Sequence, residues 1–480
     1  MPGLDADNQV ASLTSFIAEY ERQFPDEVVH IGKPVDSRYE VTAAVTKLER
    51  QRKFPVLVFH NVLIDGLTSP YPLVTFLFSS RVRLARAAKT LPEQLGLEIY
   101  ERMQLSSKPV AVNRDQAPVK QIVRKGPEVD VRTLPAPVHH YLDPGPYLSA
   151  GFLTCYDPDT GVANSALHRG WLKGRDEIRV AISPATDNAL IYSKYEARGQ
   201  PMRAAYWIGH HPLAVVGCEL HVPSSRSHYE VAGAVLGQPL RVVPSETLGD
   251  DFLVPADAEI VIEGIIPPGE RRPEAPFGEY PRYVGPQRWH PYMRVTAMTH
   301  RADASFLDIM VGHTHWVASL GLEGKVLDTV GRAVPTTINV YLPMSGCGIF
   351  HAYVQIRNRV PGLSRMALMA ALTADYRIKH AFVFDEDVDI FDEREVLLAL
   401  ATRFQGDRDI VVVENCVGPV LDPSGAGILG AKVGFDCTKP ASPQPFAERL
   451  RVPDEVMEGV DLKDLLGEET LARIPVEHFG

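Results

Sequence analysis

In NQVASLTSFIAEYERQF (8–24) the apolar residues Leu13, Phe16, Ile17 and Tyr20 follow an i, i+3, i+4, i+7 spacing, which predicts an amphipathic helix. Asp7 or Asn8 is placed to cap it and Pro25 to end it. FPVLVFH (54–60) is continuously apolar and reads as a buried strand, and LFSSRVRLARAAK (77–89) reads as a helix. Residues 1–115 are therefore expected to form an α/β domain. From 116 to 305 the pattern shortens to runs broken by Gly and Pro: EIRVAIS, LAVVGCE, LRVV, EIVIEGII and MRVTAMTHR. These predict a β-barrel or a compact antiparallel sheet. Between 320 and 440, LSRMALMAALTA and EVLLALATRF read as helices and HAFVFDEDVDIF and DIVVVEN as strands, a second α/β domain. The tail, 441–480, is rich in Pro and charge and carries one short helix, EVMEGVDLKDLL, suited to packing on a partner subunit.

Composition narrows what these domains can do. With 480 residues and 45% hydrophobic side chains, the chain can bury about three cores. The net charge of -11, from 49 basic and 60 acidic residues, leaves no basic face for nucleic acid or an anionic membrane. The expected partner is a small molecule. Cys155, Cys218, Cys347, Cys416 and Cys437 are an odd number with no CxxC spacing, which points to a reducing, cytoplasmic setting and away from disulfides or a zinc knuckle. The start, MPGLDADNQV, is acidic where a secretory signal is basic, and no apolar run reaches the ~20 residues that cross a bilayer.

Four motifs offer chemistry. Gly425-Ala-Gly427-Ile-Leu-Gly430 matches GxGxxG, but VLDPS precedes it and the strand-like AKVGFD follows, so it is not a dinucleotide fingerprint. With Lys432 the loop either cradles a phosphate or is a structural turn. In EAPFGEY (274–280), Pro276 removes a donor and Gly278 permits positive φ, so Glu274 and Glu279 flank a bend and either converge or are solvated loop acids. Convergence would let burial raise one pKa while an arginine keeps the other acid ionised. NSALHR (164–169) supplies such an arginine, Arg169, whose planar fork suits a substrate carboxylate unless it is a surface residue. The pairs at 139–140 and 210–211 and His313-Thr-His315 read as satisfied or exposed histidines, since no further ligands stand beside them.

Taken in order, N-x-x-x-x-R, GQPMRAAYWIGHHP, HYEVAGAVLG, EIVIEG, EAPFGEY, VFDEDVDIFDEREVLLALATRF and GAKVGFD resemble the UbiD-like decarboxylases along nearly the whole chain. The resemblance implies a multidomain α+β and α/β fold, with a central split β-barrel like that of flavin reductases between two α/β domains, in a homodimer or higher oligomer. It implies prenylated FMN, supplied by a flavin prenyltransferase, with Mn²⁺ or Mg²⁺ at the phosphate and K⁺ nearby. The implied reaction is reversible, non-oxidative decarboxylation of an aromatic, heteroaromatic or α,β-unsaturated acid. Glu279 then falls on the proton donor, and Arg169, fixed by Glu274, on the group that orients the carboxylate. The implied cofactor contacts are Asn164, Ser165, Ala166, Leu167, His168, Arg169, Cys218, Glu219, Leu220 and Lys432.

This chain departs from that pattern in places. The metal positions fall on Asn164, Asp187 and His228, as if imidazole and carboxylate had changed places, with Glu230 the alternative to His228. Ala275 replaces a glycine, tolerable unless φ is positive there, and Arg282 is an extra cation near Glu279 that is expected to point outward. DIMVGHTHWVAS (308–319) matches the pocket-lining segment, so His313 or His315 facing the flavin favours a hydroxylated or heteroaromatic acid. The competing readings are a split-barrel flavin oxidoreductase using FMN and NAD(P)H, and a subunit of a carboxylase complex.

Overall fold

The computed structural model describes residues 12–474, except 185, 359, 426 and 441–444. The first helix, Leu13–Gln23, is capped by Ser12, whose Oγ accepts from the Ser15 amide at 3.0 Å. Asp7 and Asn8, the expected caps, lie outside the described residues. Leu13, Phe16 and Tyr20 are wholly buried, each contributing roughly 1.5–3 kcal/mol. The neighbouring sheet takes Val28–Ile31, Val56–Phe59 and Leu73–Thr75 from the first domain, and its fourth strand, Phe306–Leu307, returns from the end of the central region. That return places Asp308 beside Thr75 at 3.0 Å and ties the two domains together.

The central sheet has nine strands. Its order is Ala163–Leu167, Phe152–Tyr156, Met202–Ile208, Ile260–Ile266, Tyr292–His300, Glu177–Val180, Gly170–Leu172 and Tyr147–Leu148, with Ile122–Lys125 pairing off the path on Tyr292–His300. Ala163–Leu167 ends the order on one side and Gly170–Leu172 lies next to last on the other, yet only His168 and Arg169 join them. Three peptide links span at most about 11 Å, so the sheet must curl until its ends nearly meet. Arg169 sits at that seam.

LAVVGCE is not a strand but part of the helix Pro212–Cys218, all seven residues of which are buried. Pro212 stands at its first position and the His211 ring accepts from the Leu213 amide at 3.2 Å, so a start signal and all-round burial override the β-branched composition.

In the C-terminal domain the sheet runs Thr337–Tyr341, His351–Ile356, His380–Asp385, Leu429–Cys437, Ile410–Val417, flanked by Ser319–Ala333, Leu363–Ala374 and Glu393–Arg403. The glycines of GAGILG lead into the strand Leu429–Cys437, so no helix N-terminus follows them; Ala426 lies outside the described residues. EVMEGVDLKDLL is two helices, Asp454–Gly459 and Leu462–Leu466, because Gly459 ends the first and Asp461 caps the second. The five cysteines are free, and no helix among the described residues is long and apolar enough to cross a membrane.

Candidate active site

The two acids ride on a hairpin arm that folds back over the seam. Arg272–Glu274 pairs with Arg288–His290, and Phe277–Gly278 pairs with Val284–Gly285. Arg169 Nε and Nη2 donate to Glu274 Oε1 and Oε2 at 2.9 and 2.8 Å, a two-pronged pair around a carboxylate with no solvent exposure. Arg169 Nη1 donates to Glu279 Oε1. The guanidinium carbon lies 4.9 Å from the centre of the Phe277 ring, which serves as its apolar shelf. Sequence reasoning passed over Phe277, although it stands inside EAPFGEY.

Electrostatics separates the two acids. Burial raises the Glu279 pKa, and the opposing pull of Arg169 does not cancel it. Arg169 itself is pushed above its ordinary value: burial works against the charge, but the hydrogen bonds it donates to Glu274 and the charge of Glu279 outweigh it. Arg282 points outward to Glu49, 3.5 Å away, and the nearby cations acting on Glu279 are Arg169 and Arg288.

The bend is built differently from expectation. Positive φ falls on Ala275, at 72°, and not on Gly278. A left-handed alanine costs roughly 1–2 kcal/mol, yet Glu274 keeps both bonds to Arg169. Gly278 is required for space, because a Cβ there would lie 2.3 Å from His140 Nδ1. Its amide donates to Asp143 Oδ1 at 3.1 Å, and Asp143 Oδ2 accepts from the His140 amide at 2.9 Å, so Asp143 clasps the arm. Gly278→Ala is expected to displace Glu279 and to cost about 1–3 kcal/mol by overpacking. Denaturant unfolding together with turnover checks this, and a variant normal in both would contradict the clasp.

The remaining expected site residues lie outside this network. Ser165 faces the sheet interior, its Oγ accepting from Trp207 Nε1 at 2.9 Å and Thr154 Oγ1 at 3.0 Å. The His168 ring lies 3.0 Å from the Ala181 carbonyl. Ala166 and Leu167 are half-buried, and the Leu167 amide donates to Glu219 Oε2 at 3.3 Å. Cys218 is buried with its thiol 3.7 Å from the His228 carbonyl, and a side chain at Gly321 would strike Leu220. Lys432 Nζ donates to the carbonyls of Leu372 and Asp375 at 2.6 and 2.8 Å. His313 Nδ1 lies 2.6 Å from Glu49, while the half-buried His315, its pKa lowered to about 4 by desolvation, has an Nδ1 without a partner.

Of the expected metal donors, Asn164 and His228 are both buried. Asn164 Nδ2 donates to Oδ1 of Asn188, the residue after Asp187, at 2.6 Å. Among the described residues no three of His, Cys, Asp and Glu converge closely enough to hold an ion. The Leu167 amide reaches Glu219 of the Cys218–Leu220 segment, and buried His228 keeps an Nδ1 with no partner, a polar atom left for a ligand such as a flavin.

Three family models match the chain in order. They describe 3-octaprenyl-4-hydroxybenzoate carboxy-lyase: its N-terminal domain over residues 21–103, its Rift-related domain over 110–314 and its C-terminal domain over 315–437. The chain therefore belongs to the UbiD family of carboxy-lyases. It is 31% identical over 433 residues to an anhydromevalonate phosphate decarboxylase of Methanosarcina mazei, covering 89% of this chain and 97% of that one. It superposes on the UbiD-class enzyme HmfF from Pelotomaculum thermopropionicum in complex with FMN with a TM-score of 0.88 and 35% identity, over 95% of this chain and 100% of that one. Apo 3,4-dihydroxybenzoic acid decarboxylase (AroY) from Klebsiella pneumoniae gives a TM-score of 0.84 and 28% identity, over 94% and 99%.

Proposed function

We propose that this protein removes CO₂ without redox change from a small aromatic, heteroaromatic or α,β-unsaturated carboxylic acid, with prenylated FMN held along the Ala163–Leu167 strand of a split barrel. The observation that carries this reading is the buried Glu274–Arg169–Glu279 network at the seam. Loss of CO₂ from an sp² carbon leaves electrons in an orbital with no path to delocalise, and the modified flavin, when bound, supplies the sink.

The chain's own groups do the rest. Arg169 orients the substrate carboxylate, and Glu274 fixes the guanidinium through Nε and Nη2, so only Nη1 is free to exchange Glu279 for substrate. Glu279, kept protonable by burial, delivers its proton to the carbon that CO₂ has left. Phe277 and the buried Glu274 exclude water from the polar face of the arginine. His315 is the unsatisfied imidazole left for a polar group on the substrate, since His313 is committed to Glu49. The exposed Met457, Leu462 and Leu465 of the tail we read as covered by a second copy of the chain.

The test is a panel of aromatic and unsaturated acids given to protein co-produced with a flavin prenyltransferase. CO₂ release matched by product is expected, and protein made without the prenyltransferase should be inactive. NAD(P)H oxidation without CO₂ release would instead make it an oxidoreductase.

A further inference from the structure

Glu49 is an acid that helix energetics alone would not place where it stands. It lies in the last turn of the helix Glu40–Arg50 of the N-terminal domain, where the negative pole of the helix disfavours a carboxylate. Its side chain is only 16% exposed, and one short segment far along the chain uses it up. It accepts from the Thr314 amide at 2.8 Å and from Thr314 Oγ1 at 2.5 Å, and His313 Nδ1 lies 2.6 Å away. Burial works to raise its pKa, but the hydrogen bonds from His313 and Thr314 bring it down to about 2.

The groups around Glu49 reach the catalytic arm at the proton donor. Arg282 Nη2 lies 3.5 Å from Glu49 Oε1, and the Arg282 amide donates to the Glu279 carbonyl at 2.9 Å, closing the turn that begins at Glu279. The segment itself crosses the same turn: Gly312 has a φ of 80°, and a Cβ there would lie 3.3 Å from the Glu279 carbonyl oxygen and 3.8 Å from Arg282 Cα. The His313 ring lies parallel to that of His140, 6.3 Å between centres, and His140 fills the space beside Gly278. His315, with its partnerless Nδ1, directly follows Thr314.

We propose that Glu49 is a positioning residue for the decarboxylation: it clamps residues 312–315, which carry His315, to the tip of the arm, which carries Glu279, so that the imidazole facing the substrate and the proton donor keep a fixed separation. A carboxylate suits this task because its two oxygens accept from donors arriving from two elements at once and its charge also attracts Arg282. The inference rests on the functional reading above.

Amide hydrogen exchange, with and without flavin, is to be measured on the wild type, Glu49→Ala, Glu49→Gln and Thr314→Val, together with turnover of the acid in the panel that releases most CO₂. In Glu49→Ala, exchange over residues 277–285 and 310–316 should quicken ~10-fold or more while the central strand Ile260–Ile266 is unchanged. Its kcat should fall ~10–100-fold, by more than KM rises, the usual result of misplacing groups that must meet. Glu49→Gln keeps an oxygen for Thr314 but has no charge for Arg282, so it should restore most of the slow exchange at 310–316 and part of kcat. Thr314→Val removes one bond and leaves the amide in place, should show the same pattern at smaller size, and decides the matter if thermal unfolding finds Glu49→Ala unfolded. Unchanged exchange over 277–285, exchange quickened throughout the protein, or turnover per folded molecule equal to wild type would overturn the clamp. A wild type that decarboxylates no acid of the panel would instead defeat the functional reading, and exchange over 277–285 would then decide the clamp by itself: faster in Glu49→Ala supports it, unchanged overturns it.

Discussion

Glu279→Gln should bind flavin and substrate like the wild type and turn over about 10²–10⁴-fold more slowly, the usual worth of a positioned proton donor. The amide keeps a carbonyl oxygen for Arg169 Nη1 and fits the space beside Gly285, where a Cβ would already lie 2.7 Å from Glu279 Oε1. What it cannot do is release a proton to carbon. The pH profile gives the loss a signature. Burial lifts the Glu279 pKa above its ordinary value, so the reactive protonated form persists to higher pH, and wild-type activity should fall as pH rises through that raised value. The residual activity of the variant should lack this alkaline limb. Turnover equal to wild type would place the acid elsewhere.

The acids were legible because they stand in a short, ordered motif whose partner, Arg169, stands in another. The way they meet was not. Convergence depends on a sheet that curls until His168 and Arg169 can bridge its two ends, and strand order of that kind involves pairings more than a hundred residues apart, as between Glu177–Val180 and Tyr292–His300. Asp143 and His140, which clasp Gly278 from outside the motif, left no local signal either. LAVVGCE misled for a related reason. A run buried on every side carries no period, and only Pro212 hinted at a helix start. By contrast the amphipathic helix Leu13–Gln23 and the uniformly buried strand Val56–Phe59 show their environment in their pattern, because one face or both faces are covered along their whole length.

Asp308→Ala is expected to lower stability by about 3–5 kcal/mol, the usual cost of removing one partner from a buried ion pair. Asp308 is fully buried where three segments meet: it accepts from Ser149 Oγ at 2.5 Å and Thr75 Oγ1 at 3.0 Å, and lies 2.8 Å from His139 Nε2. Burial would raise the Asp308 pKa, but His139 and the two hydroxyls hold it below its ordinary value; burial would lower the His139 pKa, but Asp308 lifts it above. The signs fix the pH dependence. A depressed acid pKa gives stability that is complete above about pH 3.9 and fades as pH falls through the folded value, whereas a raised histidine pKa gives stability complete below about pH 6.5 and lost as pH rises through the folded value. The gap between wild type and variant in urea unfolding should therefore be widest between about pH 4 and 6.5 and narrow on both sides. His139 also packs edge-on against Phe277, at 6.0 Å, and Phe277 carries Arg169, so loosening this junction should reach the catalytic arginine. An Asp308→Leu, His139→Leu double variant should recover most of the stability, because it buries no lone charge. A pH-independent gap, or a double variant as weak as Asp308→Ala, would mean that the junction is held by packing and the hydroxyls alone.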